Sequence, residues 1–251
     1  GPIRQFSLPM ASASVVLFKP NVAIRSAGNA TISYWVKQAP QALTVEILDA
    51  KGTVVWPVAN ANAGGGRGGG GGGGGRGGGG FGGGAPAMAA GMNSVSWNLR
   101  YPDATSFPNM ILWGGGVGGP AAPPGTYTVR LTADGKVQTQ PLVVKRHPLY
   151  KDLTDADLQA QFDLAIQVRD KTSEANNAVI QIRAIKTQVA DRLSKSQDAQ
   201  LKASGDKLVQ DLSAVEADIY QVKNQAGQDP LNYPIKTNNR LASLLSMVNH
   251  G

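Results

Sequence analysis

The sequence predicts an α+β chain: an antiparallel β-sandwich, then three helices packed as an antiparallel bundle or hairpin. Three observations carry this. Up to residue 148, short runs alternate apolar and polar residues between turn-forming aspartates and glycines. From residue 151 the apolar positions recur every three or four residues, the period of a helix. The charge changes at the same border: residues 1–150 hold 12 basic and 4 acidic side chains, residues 151–251 hold 12 and 13. The sandwich is expected over residues 25–148 and the helical tail over 149–251. Residues 1–24, which open GPIRQFSLP with neither Met nor an apolar core of a signal peptide, read as an extended lead-in from an upstream domain.

The first strands are TISYWV (31–36), LTVEIL (43–48) and TVVWPV (53–58), the last two joined by a turn at Asp49-Ala50-Lys51-Gly52. SVSWNL (94–99) is another period-two run. TYTVRLTA and VQTQPLVV flank Asp134-Gly135, the strongest two-residue hairpin signal in the chain.

Between TVVWPV and SVSWNL lies GGGRGGGGGGGGRGGGGFGGG (64–84), in which 18 of 21 residues are glycine. Its place between two strands makes it a loop inside one domain, spanning about residues 60–92. Loop entropy permits this, since lengthening a closure from about 4 to about 34 residues costs only roughly 2 kcal/mol. An RNA-binding reading has only Arg67, Arg76 and Phe81 to use. Two phosphate contacts on a single strand give a salt slope of about −1.4, so nucleic acid is not favoured as a partner.

In the tail, Thr154 and Asp157 are spaced as a capping box, with Asp155 also in the first turn where the helix dipole favours anions. Leu158, Phe162, Ala165, Thr172, Ala175, Val179, Ile182, Val189 and Leu193 mark one amphipathic helix of ten or more turns. Leu201, Leu208, Leu212, Val215, Ile219 and Val222 mark a second, nearly heptad in spacing, weakened near its start by Gly205. After the loop NQAGQDPLNYP, Pro234 begins a third that carries Ile235, Leu241, Leu244, Leu245 and Val248.

Several of these stretches together are more specific than the topology. NSVSWNLRYPDA, ILWGGGVGGPAAPPGTYTVRLTADGKVQTQPLVVKRHP and YQVKNQAGQDPLNYPIKTNNRLASL follow one another in order, and most of residues 15–250 resembles the C-terminal region of bacterial sortilin-like, BNR-repeat proteins often labelled glycosyl hydrolases. The resemblance implies an Ig- or fibronectin-like sandwich with a helical tail behind a β-propeller, in a protein exported to the periplasm or cell exterior. The propeller of the same parent chain is then the expected partner, with other proteins or carbohydrate beside it. The Asp-box of such propellers, S-x-D-x-G-x-T-W, occurs nowhere in this chain, so no catalytic residue carries over.

The residues themselves narrow the chemistry. There is no cysteine, and His147 and His250 are the only histidines, which removes thiolate chemistry and paired-histidine mechanisms. No run approaches the length of a membrane span. Residues 1–150 offer only Glu46, Asp49, Asp103 and Asp134 for the converging carboxylate pair of a glycosidase. Asp152, Asp155 and Asp157 suggest calcium but lack the glycine and distal glutamate of an EF-hand loop, and capping explains them. No cofactor, metal or catalytic set is expected. Trp35, Trp56, Trp97 and Trp113 can pack a core or stack on sugars, and Trp113 precedes three glycines in a loop. Trp56, Trp113 and Tyr233 stand as the candidate contacts to a ligand or partner. The reading is therefore a non-catalytic scaffold or interaction region of an exported propeller protein. The alternative is a carbohydrate-binding or active-site-completing part of a glycoside hydrolase.

Overall fold

A computed structural model describes residues 1–5, 12–59 and 86–250. The glycine tract, and with it residues 60–85 of the expected loop, lies outside the described residues. The described chain falls into two compact units, one made of Gly1–Pro102 and Pro120–Phe162, the other of Asp103–Gly119 and Asp163–Gly251. Residues 103–119 thus belong with the helices, although in sequence they stand between two strands and well before the border read at 148.

The first unit holds two sheets. Strands β1 (Val15–Leu17), β3 (Ala30–Val36) and β6 (Gly91–Trp97) form one, in the order β1-β3-β6. Strands β2 (Ala23–Ile24), β4 (Leu43–Leu48), β5 (Val54–Ala59), β7 (Gly125–Ala133) and β8 (Lys136–Lys145) form the other, in the order β2-β8-β7-β4-β5. Alternation sets the faces: Ile32, Tyr34 and Trp97 from the smaller sheet and Val45, Ile47, Leu131 and Leu142 from the larger share one buried cluster. The β7–β8 turn has Asp134 at φ 46° and Gly135 at φ 79°, as the Asp-Gly signal requires.

Both flanks of the glycine tract lie in this unit. β5 sends Val55 and Trp56, and β6 sends Val95 and Trp97, into the same core. The Tyr34 hydroxyl donates to the Ala87 carbonyl at 2.6 Å, which ties down the chain just before β6.

Two features depart from the sequence reading. The pairing is not wholly antiparallel, because β2 runs parallel to β8. Moreover, the stretch read as a lead-in supplies β1 and β2. β1 pairs antiparallel with β3 and β2 parallel with β8, and Gln138 on β8 also accepts from the Leu17 amide at 2.7 Å and donates to the Val15 carbonyl at 2.9 Å. Three short residues thereby satisfy backbone groups towards both sheets, a device that periodicity does not reveal.

The helical part fits the expected α content and lengths. Helix α1 runs Asp155–Ser194, its start closed by the reciprocal box in which the Asp157 amide donates to Thr154 Oγ1 (3.1 Å) and the Thr154 amide donates to the Asp157 carboxylate (2.9 Å). Helix α2 (Ala199–Ile219) is capped by Asp198, which accepts from the Gln200 and Leu201 amides. Helix α3 (Thr237–His250) begins three residues after Pro234.

Within the second unit the return path is broken in two. Arg183 of α1 meets Glu216 of α2 at 2.7 Å, and a Cβ on Gly205 of α2 would come within 2.8 Å of the Leu193 side chain. Ala165 and Val168, lower on α1, pack on Leu245 of α3, and Asn176 bonds Asn238 at 3.1 Å. α2 therefore runs back along the C-terminal half of α1, and α3 along the N-terminal half. Gly205, read as a weak point, is where α2 comes close to the Leu193 side chain.

Candidate functional site

The most constructed feature of the second unit is where residues 103–119 meet the helices. Among the described residues this strap has no regular secondary structure, so its backbone groups need other partners. Side chains supply many of them. The Thr105 amide donates to Ser173 Oγ (3.0 Å), and Asn176 Nδ2 donates to the Thr105 carbonyl (2.6 Å). Further along, the Ile111 amide donates to the Tyr220 hydroxyl (3.1 Å). Asn239 then clamps Trp113 from both sides, accepting from its amide at 2.7 Å and donating to its carbonyl at 2.8 Å. Gly116 and Gly118 finish the run against the Ala242 carbonyl and the Asn249 side chain.

Sequence chemistry explains the fit. Ala104 and Phe107 are the strap's buried side chains, and each joins a small apolar cluster, the first with Ala165, Val168 and Leu245, the second with Val179 and Tyr220. Gly115 passes so close to α3 that a Cβ there would lie 2.7 Å from the Ser243 nitrogen, so only glycine is admitted. The buried polar residues Thr172, Asn176, Asn238 and Asn239 all have hydrogen-bond partners, as interior polar groups require.

A charged cluster closes the upper end of the strap. The Arg183 guanidinium sits 4.7 Å from the Phe107 ring centre and 5.4 Å from that of Tyr220, while the two rings meet edge to face. Glu216, with a side chain only 5% exposed, receives Arg183 at 2.7 Å and Lys186 at 3.1 Å. Burial pushes its carboxyl upward, but the bonds from Arg183 and Lys186 outweigh this and hold it below the usual glutamate range.

The side chains singled out from sequence are not brought together. Trp56 is 1% exposed within the first unit's core, which leaves no ring face for a ligand or partner and corrects that expectation. Its neighbour Val55 is equally buried, so alternation does not account for Trp56 on β5, whereas on β6 it turns Val95 and Trp97 inward. Trp113 remains 41% exposed on its clamped backbone. Tyr233 is half-buried beside Lys223, whose ammonium lies 5.4 Å from the ring centre. In the same loop Asp229 accepts from the Gln225 and Ala226 amides at 2.6 and 2.8 Å, which lowers its pKa, and Gln221 bonds the Pro234 carbonyl.

Each carboxylate available to the first 150 residues has structural work. Glu46 pairs across the ladder with Arg130 at 2.7 Å. Asp49 and Asp134 accept backbone amides in turns, and Asp103 accepts from the Gly119 amide at the strap's ends. An open depression of about 640 Å³ in the first unit is lined by Lys145, Arg146, Lys151 and Asp155, with Arg146 bonded to the Leu153 carbonyl and 3.8 Å from Asp155. It presents one carboxylate, not a pair. Among the described residues no group of three or more histidines and acids is placed to hold a metal, and no helix is long and apolar enough to cross a membrane.

The strap's anchors were missed in sequence because lone asparagines and serines on a helix read as solvated. The one available signal was Asn176, Asn238 and Asn239 at positions in phase with apolar neighbours. No protein-family model matches the chain, and no curated protein matches it.

Proposed function

We propose that this chain is a non-catalytic scaffold and interaction region, an Ig-like sandwich with a helical tail, that follows the β-propeller of an exported sortilin-like, BNR-repeat protein. One observation carries the non-catalytic part: the polar groups that could act chemically are spent on the fold. Glu46, Asp49, Asp103 and Asp134 hold a ladder, two turns and the strap ends. Glu216, the buried acid of the helical unit, is held by two cations, Arg183 and Lys186. The propeller, the export and the partnership rest on the sequence resemblance.

The test is twofold. The purified chain is expected to release nothing from a broad panel of aryl glycosides and to bind the parent's propeller, produced separately, in calorimetric titration. Turnover of any glycoside that survives repurification, or a propeller titration without heat, overturns the corresponding half.

A second reading, sugar binding, has one specific support. Trp113 offers a partly exposed ring on a backbone fixed by Asn239, a ready stacking platform. It requires a saturable shift in tryptophan fluorescence with an oligosaccharide, abolished in Trp113→Ala. No shift across the panel removes it.

A further inference from the structure

The depression of about 640 Å³ in the first unit lies where the start of β7, the end of β8 and the segment leading into α1 meet. Alternation along β8 decides which side chains reach it. Leu142 and Val144 turn into the core, so Val143 and Lys145 project from the opposite face of the sheet. The backbone of Lys145 is fixed on its far side, where it pairs with Ile24 of β2 and its carbonyl accepts from the Arg25 amide at 2.8 Å. The segment after β8 folds into a wall. Arg146 donates to the Leu153 carbonyl, the Tyr150 amide donates to the His147 carbonyl at 3.2 Å, and the rings of His147 and Tyr150 lie 5.1 Å apart.

Charge in this hollow does not balance. Lys145, Arg146 and Lys151 bring three positive charges to its lining, and Asp155 brings the single negative one. Arg146 and Asp155 stand 3.8 Å apart and offset each other. Among the described residues the ammonium groups of Lys145 and Lys151 have neither an acid nor a hydrogen-bond acceptor as partner. Asp152 and Asp157, the other acids of the segment, do not line the hollow, and Asp157 is spent on the Thr154 cap. Two unpaired cations are therefore left against carbon surface from Val143 and Pro148.

We propose that this depression binds a small organic dianion, a dicarboxylate or a phosphate monoester, with Lys145 and Lys151 as its counter-charges. The volume falls within the roughly 300–1,000 Å³ of small-molecule sites. The lining selects the class. An uncharged ligand leaves both lysines unused, while a bare inorganic ion gains nothing from the apolar wall. The site needs neither an upstream propeller nor Trp113, so it stands or falls apart from both functional readings above.

Calorimetric titration of the full chain with a panel of dicarboxylates and sugar phosphates tests this, with inorganic sulfate as the dianion that lacks a carbon body. One-to-one binding of at least one organic member is expected, and the arm that binds names the acid group. Sulfate is expected to bind at least about tenfold more weakly. Lys145→Gln/Lys151→Gln is expected to lower the affinity for the organic ligand at least about tenfold. Lys51→Gln/Lys202→Gln removes the same charge from exposed positions elsewhere and leaves the affinity as it was. An unchanged circular dichroism spectrum shows that both double variants keep the fold. No panel member binding more tightly than about 1 mM, sulfate binding as well as the organic anions, or equal losses in the two double variants overturns the proposal.

Discussion

The inner and outer halves of the helical hairpin carry the same apolar period but differ in what covers them. Between Ala165 and Ile182, α1 buries Ala165, Val168, Thr172, Asn176, Val179 and Ile182. Beyond Arg183 it buries nothing, although Ile185, Val189 and Leu193 continue the spacing. The inner half has a third layer, the strap, while the outer half is two helices thick. A stripe of apolar residues therefore specifies a helix and a face, and a remote segment decides whether that face becomes a core.

Truncation should expose the contrast most sharply. Phe107→Ala removes a ring enclosed by Val179, Tyr220 and Arg183, and is expected to cost about 3–5 kcal/mol in urea unfolding. Leu208→Ala in the outer half is expected to cost under about 1 kcal/mol in the same assay. Equal costs would mean that the strap does not distinguish the halves.

Subtler changes act on the strap alone. Asn239→Ala strands the amide and carbonyl of Trp113 and is expected to cost about 1–3 kcal/mol. Gly115→Ala is expected to fall in the range of about 1–3 kcal/mol by overpacking against the α3 backbone at Ser243. Gly118→Ala, which meets open space, serves as the neutral control.

The smallest expected effect is one of pH. Glu216 has a folded pKa below its unfolded value, so its contribution is present above the unfolded pKa and is lost as pH falls through the folded one. Glu216→Gln should flatten that acid limb of the stability profile and leave the alkaline side unchanged. An acid limb identical in the variant would assign the loss to other carboxylates.

Much of the fold was legible because its signals are local. The Asp134-Gly135 hairpin, the Thr154–Asp157 box and the length of α1 each follow from a few adjacent residues. What escaped is long-range. Val15–Leu17 shows no strand period, and it is ordered by its pairing with β3 and by Gln138, 121 residues away for the Leu17 contact. Trp113 and Asn239 are 126 residues apart, and nothing near either announces the other. The candidate site suffered most from this: Trp56 is buried beside an equally buried Val55, which strand alternation does not foretell, while the asparagines that organise the strap looked like surface.

Hydrogen exchange measured residue by residue tests the central claim, that residues 103–119 are a structural layer of the helical unit. The amides of Thr105, Ile111 and Trp113 are predicted to be protected, and Asn239→Ala should speed the exchange of Trp113 and its neighbours while β7 stays as protected as before. Free exchange of all three amides in the wild-type chain, or protection that Asn239→Ala leaves untouched, would contradict it.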